Sequence, residues 1–330
     1  MAILVTGGAG YIGSHMTWLL KDAGEKVVVI DNLSTGFEWA LPGDVPLIRG
    51  DIGDRTLLDK VLTEHSIEGV IHFAGSIIVP ESVSDPLKYY KNNTANSREL
   101  IEACVHHGVG KFIFSSTAAV YGDPETVPVD EDAPLRPLSP YGTSKLMTEL
   151  MLSDVAAAHD FRYTALRYFN VAGADPEGRT GQSTKNATHL IKVASEAALG
   201  KRSELGIFGT DFDTPDGTGV RDYIHVSDLV GAHYLALNRL RDGGNSLVMN
   251  CGYGEGYSVR QVIEAVKAVS GVDFKVVEQP RRPGDSPKVV AKNDRVLKEL
   301  SWKPKHNDLP KIVEHALNWE KKLSQRNTEV

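Results

Sequence analysis

Short runs of apolar and β-branched residues alternate with amphipathic stretches along the first half of the chain. The apolar runs ILVTG (3–7) and KVVVID (26–31) flank the amphipathic stretch YIGSHMTWLLKDAG (11–24), and similar runs return as VIHFAG, KFIFSS and TALRYFNV. Apolar strands that alternate with helices are typical of a parallel sheet with both faces buried. The pattern predicts an α/β fold built on a doubly wound, mostly parallel Rossmann sheet.

The pattern changes near residue 170. The stretch GADPEGRTGQSTKNATH (173–189) is rich in glycine, polar and charged residues, and it predicts an exposed loop. Shorter strands and helices follow it. We therefore expect a larger domain over residues 1–170, to which a segment near 223–250 returns, and a smaller C-terminal α/β domain over residues 171–330.

Composition and charge narrow the classes of partner. The 330 residues have a hydrophobic fraction of 41% and a net charge of −7, with no long basic run, which makes nucleic acid and anionic membranes poor partners. No apolar stretch approaches the roughly 20 residues of a membrane span, and the N-terminal run lacks the basic start of a secretory signal. Cys104 and Cys251 lie in apolar surroundings, as free thiols of a reducing compartment do. We expect a cytoplasmic protein.

A glycine-rich turn joins the first predicted strand to the first predicted helix. In VTGGAGYIG, Gly7, Gly10 and Gly13 permit a tight turn and let backbone N–H groups approach a pyrophosphate at a helix N-terminus. Asp31 ends the second strand, where a carboxylate meets the ribose hydroxyls of adenosine. A carboxylate there would repel a 2′-phosphate, so the pattern favours NAD over NADP. The alternative is a purely structural turn.

Three later stretches are expected to line the same crevice. Asp51, in RGDI, follows the third strand within reach of the adenine amino group. HFAG ends the fourth strand with small residues, and Asn92, in YYKNN, is placed to reach the nicotinamide ribose. Each stretch alone is ambiguous, because strand ends often carry glycine and aspartate for turns. Their order along the chain favours the cofactor site.

Tyr141 and Lys145 share one face at the start of a predicted helix. Ser139 is a plausible N-cap and Pro140 suits the first turn, so Tyr141 and Lys145 stand at i and i+4. A phenol normally titrates near ~10. A neighbouring ammonium and a cationic nicotinamide would both lower the pKa of Tyr141, which would let it act as a base. The alternative is an ordinary surface pair.

A run of hydroxyl residues precedes this helix. Ser115, Ser116 and Thr117 follow the predicted strand KFIFS, at the end where open α/β sheets build their sites. From its position we expect Thr117 to bridge a substrate hydroxyl and the tyrosine oxygen. The alternative is that small polar residues are common in such turns.

These motifs together resemble the extended short-chain dehydrogenase/reductase superfamily and, within it, the UDP-glucose 4-epimerase family. The resemblance covers nearly the whole chain. The stretches that carry it are VTGGAGYIGSH, DNLSTG, HFAG, FIFSSTAAVYG, SPYGTSKLMTE, LRYFNVAGA, DGTGVRDYIHVSDL and RRPGD. The glycine turn and Tyr-xxx-Lys are shared by many relatives, whereas GTGVRDYIHV is specific to this family.

The resemblance implies NAD as cofactor and a UDP-sugar as substrate, bound by the first and second domains respectively. It implies that Tyr141 is the acid–base group, Lys145 its partner and Thr117 the assisting hydroxyl. The implied NAD contacts, besides the glycine turn and Lys145, are Tyr11, Ile12, Asp31, Asn32, Asp51, Ile52, Phe73, Ala74, Gly75, Asn92 and Phe169. The implied UDP-sugar contacts, besides Thr117 and Tyr141, are Asn170, His189, Leu190, Phe208, Arg221, Tyr223, Arg282, Asp285 and Val289.

Three positions depart from patterns found in this family. Ile77 stands where some members place a lysine near the cofactor, and His189 stands where others have an asparagine near the diphosphate. Val289 stands where a bulky aromatic residue in some members closes the sugar pocket. A smaller residue there accompanies tolerance of N-acetylated sugars, so we expect activity on UDP-N-acetylhexosamines as well.

The resemblance implies interconversion of UDP-glucose and UDP-galactose by transient oxidation at C4, with the hydride held on tightly bound NAD and returned to the opposite face. A nucleotide-sugar 4,6-dehydratase or decarboxylase is one alternative. Its relatives carry an acid directly after the assisting hydroxyl, where this chain has Ala118 and Ala119. A net sugar dehydrogenase and a non-catalytic NAD(H)-sensing regulator are the others, and the regulator has no need of Tyr141, Lys145 and Thr117.

The stretch YGTSKLMTELMLSDVAAA (141–158) carries two adjacent apolar stripes. One stripe holds Leu146 and Leu150; the other holds Met147, Met151 and Val155. We expect one to pack on the sheet and the other to meet a partner helix, since relatives commonly form homodimers through this region. No metal-ligand spacing stands out in the sequence, and the pair at 106–107 suits a helix end.

Overall fold

The structure, a computed structural model, describes residues 1–185, 187–282 and 284–326. Its strands, numbered in chain order, are β1 (Ala2–Thr6), β2 (Val27–Asp31), β3 (Leu47–Arg49), β4 (Ile67–His72), β5 (Lys111–Ser115), β6 (Arg162–Tyr168), β7 (Asn170–Ala172), β8 (Leu205–Phe208), β9 (Val220–Arg221), β10 (Tyr223–His225), β11 (Leu247–Cys251), β12 (Tyr257–Ser258), β13 (Val276–Gln279) and β14 (Lys288–Val289).

The helices alternate with the strands in the first half of the chain. They are α1 (Tyr11–Asp22), α2 (Arg55–Glu64), α3 (Val79–Ser84), α4 (Pro86–Tyr89), α5 (Asn96–His106), α6 (Pro140–Ala158), α7 (Leu190–Ala198), α8 (Val226–Arg241), α9 (Val259–Ser270), α10 (Asp294–Leu300) and α11 (Leu309–Arg326). A π-helical turn (Tyr90–Ala95) leads into α5, and a short 3₁₀ turn (Ala118–Val120) follows β5. None of the described helices combines the length and the apolar character needed to cross a bilayer.

Seven strands form one parallel sheet in the order β11-β6-β5-β4-β1-β2-β3. Successive side chains of a strand point to opposite faces, so Ile3 and Val5 of β1 enter one core while Ala2 and Leu4 enter the other. Helices α1 and α8 cover the first core, and α2, α5 and α6 cover the second. The predicted doubly wound Rossmann sheet is confirmed.

Three small sheets lie in the second half of the chain. Strand β7 pairs with β10, β8 pairs with β13, and β9 lies between β12 and β14. Helices α7, α9 and α11 pack against one another. The chain also returns to the large sheet, since α8 packs on α1 and beneath β5 and β6, and β11 pairs with β6.

The stretch that follows β7 is not the exposed loop that its composition predicts. Asp175, Thr180 and Gln182 are buried, and the Oγ atoms of Ser14 and Thr180 lie 2.7 Å apart in a hydrogen bond. A Cβ at Gly181 would lie 2.3 Å from the Trp319 ring. The prediction was wrong for these polar and glycine residues, because they are packed between α1 and α11, whereas Pro176, Glu177, Lys185 and Thr188 are exposed as expected. Asn186 lies outside the described residues.

Helix α6 buries a face that the apolar stripes did not predict. Its buried side chains include Ser144, Thr148 and Glu149, whereas Met147 is 39% and Leu150 is 56% exposed. The side chains that face the sheet therefore include polar and charged ones, which bond to strand ends. This brings the face bearing Tyr141 and Lys145 to the carboxyl end of β5.

Candidate active site

The glycine turn after β1 packs tightly against the end of β4. Gly7 has φ +69°, and a Cβ there would lie 2.6 Å from the backbone nitrogen of Ala74. A Cβ at Gly13 would lie 2.1 Å from the Gly7 oxygen, so the first turn of α1 sits directly on the loop. At Gly10 the only close atom is the Gly7 oxygen, at 3.3 Å. The open side at Gly10, with the N-terminus of α1 beside it, fits the pyrophosphate of a dinucleotide.

Acidic side chains fix the ends of β2 and β3 beside this turn. The Asp31 carboxylate accepts hydrogen bonds from the backbone N–H of Ala9 (2.9 Å) and of Leu33 (2.8 Å), while burial raises the pKa of Asp31. Asn32 donates to Asp51 Oδ2 at 3.2 Å. Each carboxylate oxygen can accept a further hydrogen bond, so the two acids can accept from the hydroxyl and amino groups of an adenosine. The side chain of Ile52 is buried next to Asp51.

The end of β4 meets the π-helical turn. A Cβ at Gly75 would lie 3.0 Å from Asn93 Oδ1 and 3.6 Å from Lys145 Nζ. Asn92 donates to Ser76 Oγ at 2.9 Å, whereas Asn93 accepts from the Ser76 N–H at 2.7 Å and is fully enclosed. The predicted contact of Asn92 with the nicotinamide ribose stays a prediction, and the sequence YYKNN does not indicate that Asn93 is the enclosed residue.

Tyr141 and Thr117 are brought together as predicted from their positions. The Thr117 hydroxyl lies near enough to the Tyr141 phenol to lower its pKa, and both residues are buried. Ser139 caps α6 by accepting from the Gly142 N–H at 3.2 Å, which fixes Tyr141 in the first turn. Burial raises the pKa of Tyr141, and the Thr117 hydroxyl opposes the rise.

Lys145 contacts the end of β5, and the lowering of the Tyr141 pKa by its ammonium together with a bound nicotinamide stays a prediction. Its Nζ donates to the Ser115 backbone oxygen at 3.0 Å and lies 5.0 Å from the centre of the Phe114 ring. Burial itself lowers the pKa of Lys145 to about 8, and the Glu149 carboxylate opposes that fall. The ammonium is therefore occupied by the strand end rather than by the phenol.

Two further tyrosines surround the phenol of Tyr141, and the motifs gave no indication of either. The Tyr89 ring meets the Tyr141 ring edge to face, with 6.4 Å between centres. The Tyr168 hydroxyl is hydrogen-bonded to Ser115 Oγ. These rings limit the access of water to Tyr141.

Four of the expected substrate residues line one cavity beneath α11. Asn170, His189, Leu190 and Tyr223 share it with Trp319. Gln182 donates to His189 Nδ1 at 2.7 Å, and burial lowers the pKa of His189. The cavity does not include Tyr141, Lys145 or Thr117.

A separate apolar wall lies nearer the reacting groups. Phe169 and Val289 pack with Leu146 on the buried cluster formed by Ala118, Val120, Tyr121 and Val129. Val289 also pairs in register with Arg221 across β14 and β9. Among the expected substrate residues, Val289 belongs to this wall and packs against the 3₁₀ turn that follows Thr117.

The two expected arginines differ in their surroundings. Arg282 pairs with Asp285 at 2.9 Å and lies 4.8 Å from the centre of the Phe208 ring. Within the described residues, no ion pair joins Arg221 to a carboxylate; its Nη1 donates to the Val220 oxygen at 2.9 Å. Burial lowers the pKa of Arg221. A half-buried guanidinium without a carboxylate partner fits an anionic ligand such as a diphosphate.

Tertiary packing brings together three histidines that no sequence spacing indicated. The ring nitrogens of His225, His306 and His315 that face one another lie within 4.8 Å. His225 Nδ1 accepts from the Ser227 N–H at 3.0 Å, so the proton of the neutral ring is on Nε2, which lies 2.9 Å from His315 Nδ1. A metal-bound histidine instead donates from its second nitrogen. The group is therefore a hydrogen-bonded pair with a stacked third ring.

Comparison with known proteins agrees with a dinucleotide crevice beside Tyr141 and Lys145. The model of the NAD dependent epimerase/dehydratase family matches residues 3–252. The chain belongs to this family. The resemblance inferred from the motifs is thereby confirmed, and so is NAD as the cofactor.

Individual relatives resemble the chain over almost its whole length. A UDP-glucose 4-epimerase of Azospirillum brasilense is 61% identical over 323 residues, 98% of this chain and 93% of the relative. The structure of UDP-glucose 4-epimerase from Bifidobacterium longum in complex with NAD⁺ and UDP has a TM-score of 0.93 and 38% identity and covers 98% of each chain. The structure of the UDP-Glc/GlcNAc 4-epimerase from Campylobacter jejuni has a TM-score of 0.86 and 47% identity, covering 97% of this chain and 99% of that one.

Proposed function

We propose that this protein is an NAD-dependent UDP-hexose 4-epimerase that interconverts UDP-glucose and UDP-galactose. The observation that carries the proposal is the juxtaposition of the buried Tyr141 and Thr117 at the carboxyl end of β5, with Lys145 beside Gly75 at the end of β4. An acid–base group next to a dinucleotide crevice suits chemistry at a carbinol carbon.

Tyr141 is the acid–base group of the reaction. Its phenolate takes the proton of the sugar 4-hydroxyl, and the phenol returns that proton to the 4-oxygen of the keto sugar when C4 is reduced from its opposite face. The Thr117 hydroxyl lies beside the phenol and lowers its pKa, which favours the phenolate. When bound, NAD supplies the reversible oxidation and reduction of C4. Lys145 holds its ammonium against the Ser115 oxygen, within reach of the same crevice.

The UDP group holds the substrate on the protein while the 4-keto sugar rotates to present its opposite face. Arg221 offers a half-buried guanidinium, and Arg282 and Asp285 lie on the loop before β14. A diphosphate bound at these arginines keeps the oxidised sugar on the protein, since phosphate oxygens and guanidinium form paired charged hydrogen bonds. Pro283, between the arginine and the acid, lies outside the described residues.

Elimination of water is not favoured. The 3₁₀ turn after Thr117 begins with Ala118 and Ala119, which have no titratable group. A dehydratase needs a further acid–base group beside the assisting hydroxyl. A regulator that only senses NAD(H) is not favoured either, because nothing in sensing requires Tyr141 beside Thr117.

The apolar wall near the reacting groups also suits an N-acetylated sugar. Val289 is a small residue in the apolar wall next to Phe169. The relative from Campylobacter jejuni, named for both UDP-Glc and UDP-GlcNAc, is 47% identical to this chain. Turnover of UDP-GlcNAc under conditions that convert UDP-galactose supports this part of the proposal, and absence of product contradicts it.

The protein acts as a homodimer in the cytoplasm. Exposed apolar side chains share one side of the molecule: Val83 of α3 (64% exposed), Leu87 of α4 (76%), and Met147 and Leu150 of α6. Helices α3 and α4 both pack on α6, which makes the patch continuous. Two buried free cysteines suit a reducing compartment. Sedimentation of the purified protein distinguishes a dimer from a monomer.

The two ligands are assigned to two parts of the chain that differ in their sheets. Residues 1–170, with the return segment near 223–250, bind NAD, and residues 171–330 bind the UDP-sugar. The pairing of β11 with β6 supports the return, and the smaller sheets β8–β13 and β12–β9–β14 support the second unit.

The decisive experiment incubates the purified protein with UDP-galactose and no added cofactor. Formation of UDP-glucose without a lasting change in nicotinamide absorbance supports the epimerase. A 4-keto-6-deoxy product indicates a dehydratase, and a lasting absorbance change indicates a dehydrogenase. Neither product nor absorbance change, with NAD bound, indicates the regulator.

A further inference from the structure

Three consecutive residues at the end of β5 each lie against a different residue of α6. The Ser115 oxygen accepts from Lys145 Nζ at 3.0 Å, and the Thr117 side chain lies beside Tyr141. Between them, Ser116 Oγ donates to Glu149 Oε1. Residues 141, 145 and 149 are four apart and lie on one face of the helix. Glu149 thus completes the set of contacts that aligns the assisting hydroxyl with the phenol.

The Glu149 carboxylate is buried and held in one orientation. The residue is 5% exposed, and it accepts from Arg167 Nε at 3.0 Å and from Arg167 Nη2 at 2.6 Å. Arg167 Nη1 in turn donates to the Tyr121 hydroxyl at 3.0 Å and to the Glu131 oxygen at 3.2 Å. A paired carboxylate bonded on both oxygens keeps its charge and its position in the interior.

The network continues to the wall of the sugar site. The Tyr121 hydroxyl donates to Asn250 Oδ1 at 2.7 Å, and Asn250 Nδ2 donates to the Val129 oxygen at 2.9 Å. Tyr121 and Val129 belong to the cluster on which Val289 packs. Glu149 therefore lies at the junction of the acid–base group, the strand end and this wall.

Glu149 also sets the electrostatic surroundings of Lys145. It stands one helical turn further along α6. Burial lowers the pKa of Lys145, and Glu149 is the group whose charge opposes that effect. Without the carboxylate, the pKa of Lys145 falls further, and the neutral amine becomes more populated near neutral pH.

We propose that Glu149 is a positioning residue for the epimerisation: it anchors Ser116, and so the place of Thr117 beside Tyr141, and it holds a carboxylate one helical turn from Lys145. This role rests on the proposed function. It does not require Glu149 to touch substrate or cofactor.

Two variants separate the anchoring of Ser116 from the effect of the Glu149 charge. Ser116→Ala removes the anchor but keeps the charge, so kcat for UDP-galactose falls about tenfold while the alkaline limb of the kcat–pH profile stays in place. Glu149→Gln removes the charge, so kcat falls by a similar factor and the alkaline limb moves to lower pH by about one unit. KM changes less than kcat in both.

A double variant removes the effect of an unpaired arginine. Glu149→Gln combined with Arg167→Met takes both charges out of the interior, which restores the melting temperature. The positioning role requires the alkaline limb to remain shifted in this folded protein. Glu25→Gln is the matched control, since it breaks a distant pair with Arg241 (2.6 Å) and leaves the profile unchanged.

The outcomes are distinct. If Ser116→Ala turns over at the wild-type rate and the double variant has the wild-type profile, Glu149 only stabilises the fold and the proposal is overturned. If the wild-type protein converts no UDP-galactose, the proposed function itself fails, and the role of Glu149 fails with it. NAD content and melting temperature are measured for every variant, which separates loss of alignment from loss of cofactor.

Discussion

The hydroxyl of Tyr11 donates a hydrogen bond to the backbone oxygen of Gly173 at 2.7 Å. The bond joins the first turn of α1, beside the glycine loop, to the segment that follows β7. Ser14 and Thr180 make a second link of 2.7 Å between the same two regions. The loop that fits the dinucleotide is therefore tied directly to the part of the chain that leads to the cavity lined by His189.

Gly7→Ala is expected to abolish cofactor binding. The left-handed backbone at Gly7 disfavours any side chain, and the new Cβ would lie 2.6 Å from the Ala74 nitrogen, so the turn must move. NAD content of the purified variant, measured after denaturation, checks this. Gly24→Ala is the control: its φ is +77° but no atom lies within 4 Å, so it costs about 1 kcal/mol of stability and keeps NAD. Equal NAD content in the two variants would contradict the role of Gly7.

Tyr141→Phe is expected to lower kcat by about 10²- to 10⁴-fold, because the acid–base group is lost. The fold and the bound NAD are retained, since the ring still packs against Tyr89. Progress of UDP-galactose conversion, with NAD content as the companion measurement, checks this. Tyr234→Phe removes a phenol that bonds Glu25 far from the site and keeps full activity. Wild-type turnover by Tyr141→Phe would remove this residue from the mechanism.

Arg221→Gln is expected to raise KM for UDP-galactose by about tenfold or more, because a charged hydrogen bond to the diphosphate is lost. Its free energy of unfolding stays level or rises, since the variant no longer buries a guanidinium without a carboxylate partner. Initial rates over a range of substrate concentrations and a urea melt check both. Arg281→Gln, which breaks a surface pair with Asp211, leaves KM unchanged. A variant at 221 with wild-type KM would exclude this arginine from substrate binding.

The free energy of unfolding is expected to fall as the pH drops below about 6.5. Burial lowers the pKa of His15 and His233 to about 4 and that of His72 to about 3. The unfolded chain then binds more protons than the folded one, so acid favours unfolding. Each such group contributes about 1.4 kcal/mol per pH unit until its folded-state pKa is reached.

Urea melts at pH 7.5 and pH 5.5, both chosen as roughly one unit on either side of the ordinary histidine pKa, test this expectation. His233→Gln should show a shallower decline than the wild type, because one buried neutral ring is gone. A stability that does not change between the two conditions would show that these rings are not held neutral by burial.

Much of the fold and of the site was predictable from local patterns. The alternating runs predicted the parallel sheet, because strands buried on both faces must be apolar throughout. Gly7, Gly13 and Asp31 were predictable because backbone conformation and strand ends constrain those residue types locally. Tyr141 and Thr117 were predictable as a pair from their positions, at the start of a helix and at the end of the strand before it.

Other features depended on contacts between distant segments. Asn93 and Asn92 cannot be told apart until the π-helical turn fixes which side chain is enclosed. The polar stretch after β7 is buried because α1 and α11 enclose it, and composition cannot reveal that. The hydrogen-bond partner of Lys145 also depended on such a contact, since its Nζ donates to the Ser115 backbone oxygen.

The sequence by itself determined the sheet, the nucleotide turn and the residues that carry the chemistry, since each depends on neighbours within a few positions or on a strand's burial. Only the tertiary structure decided which groups share charge and hydrogen bonds. Glu149 meets Ser116 and Arg167, and Arg221 is left without a carboxylate, because strands and helices remote in the chain converge there. Burial then changes the protonation of each group according to those neighbours.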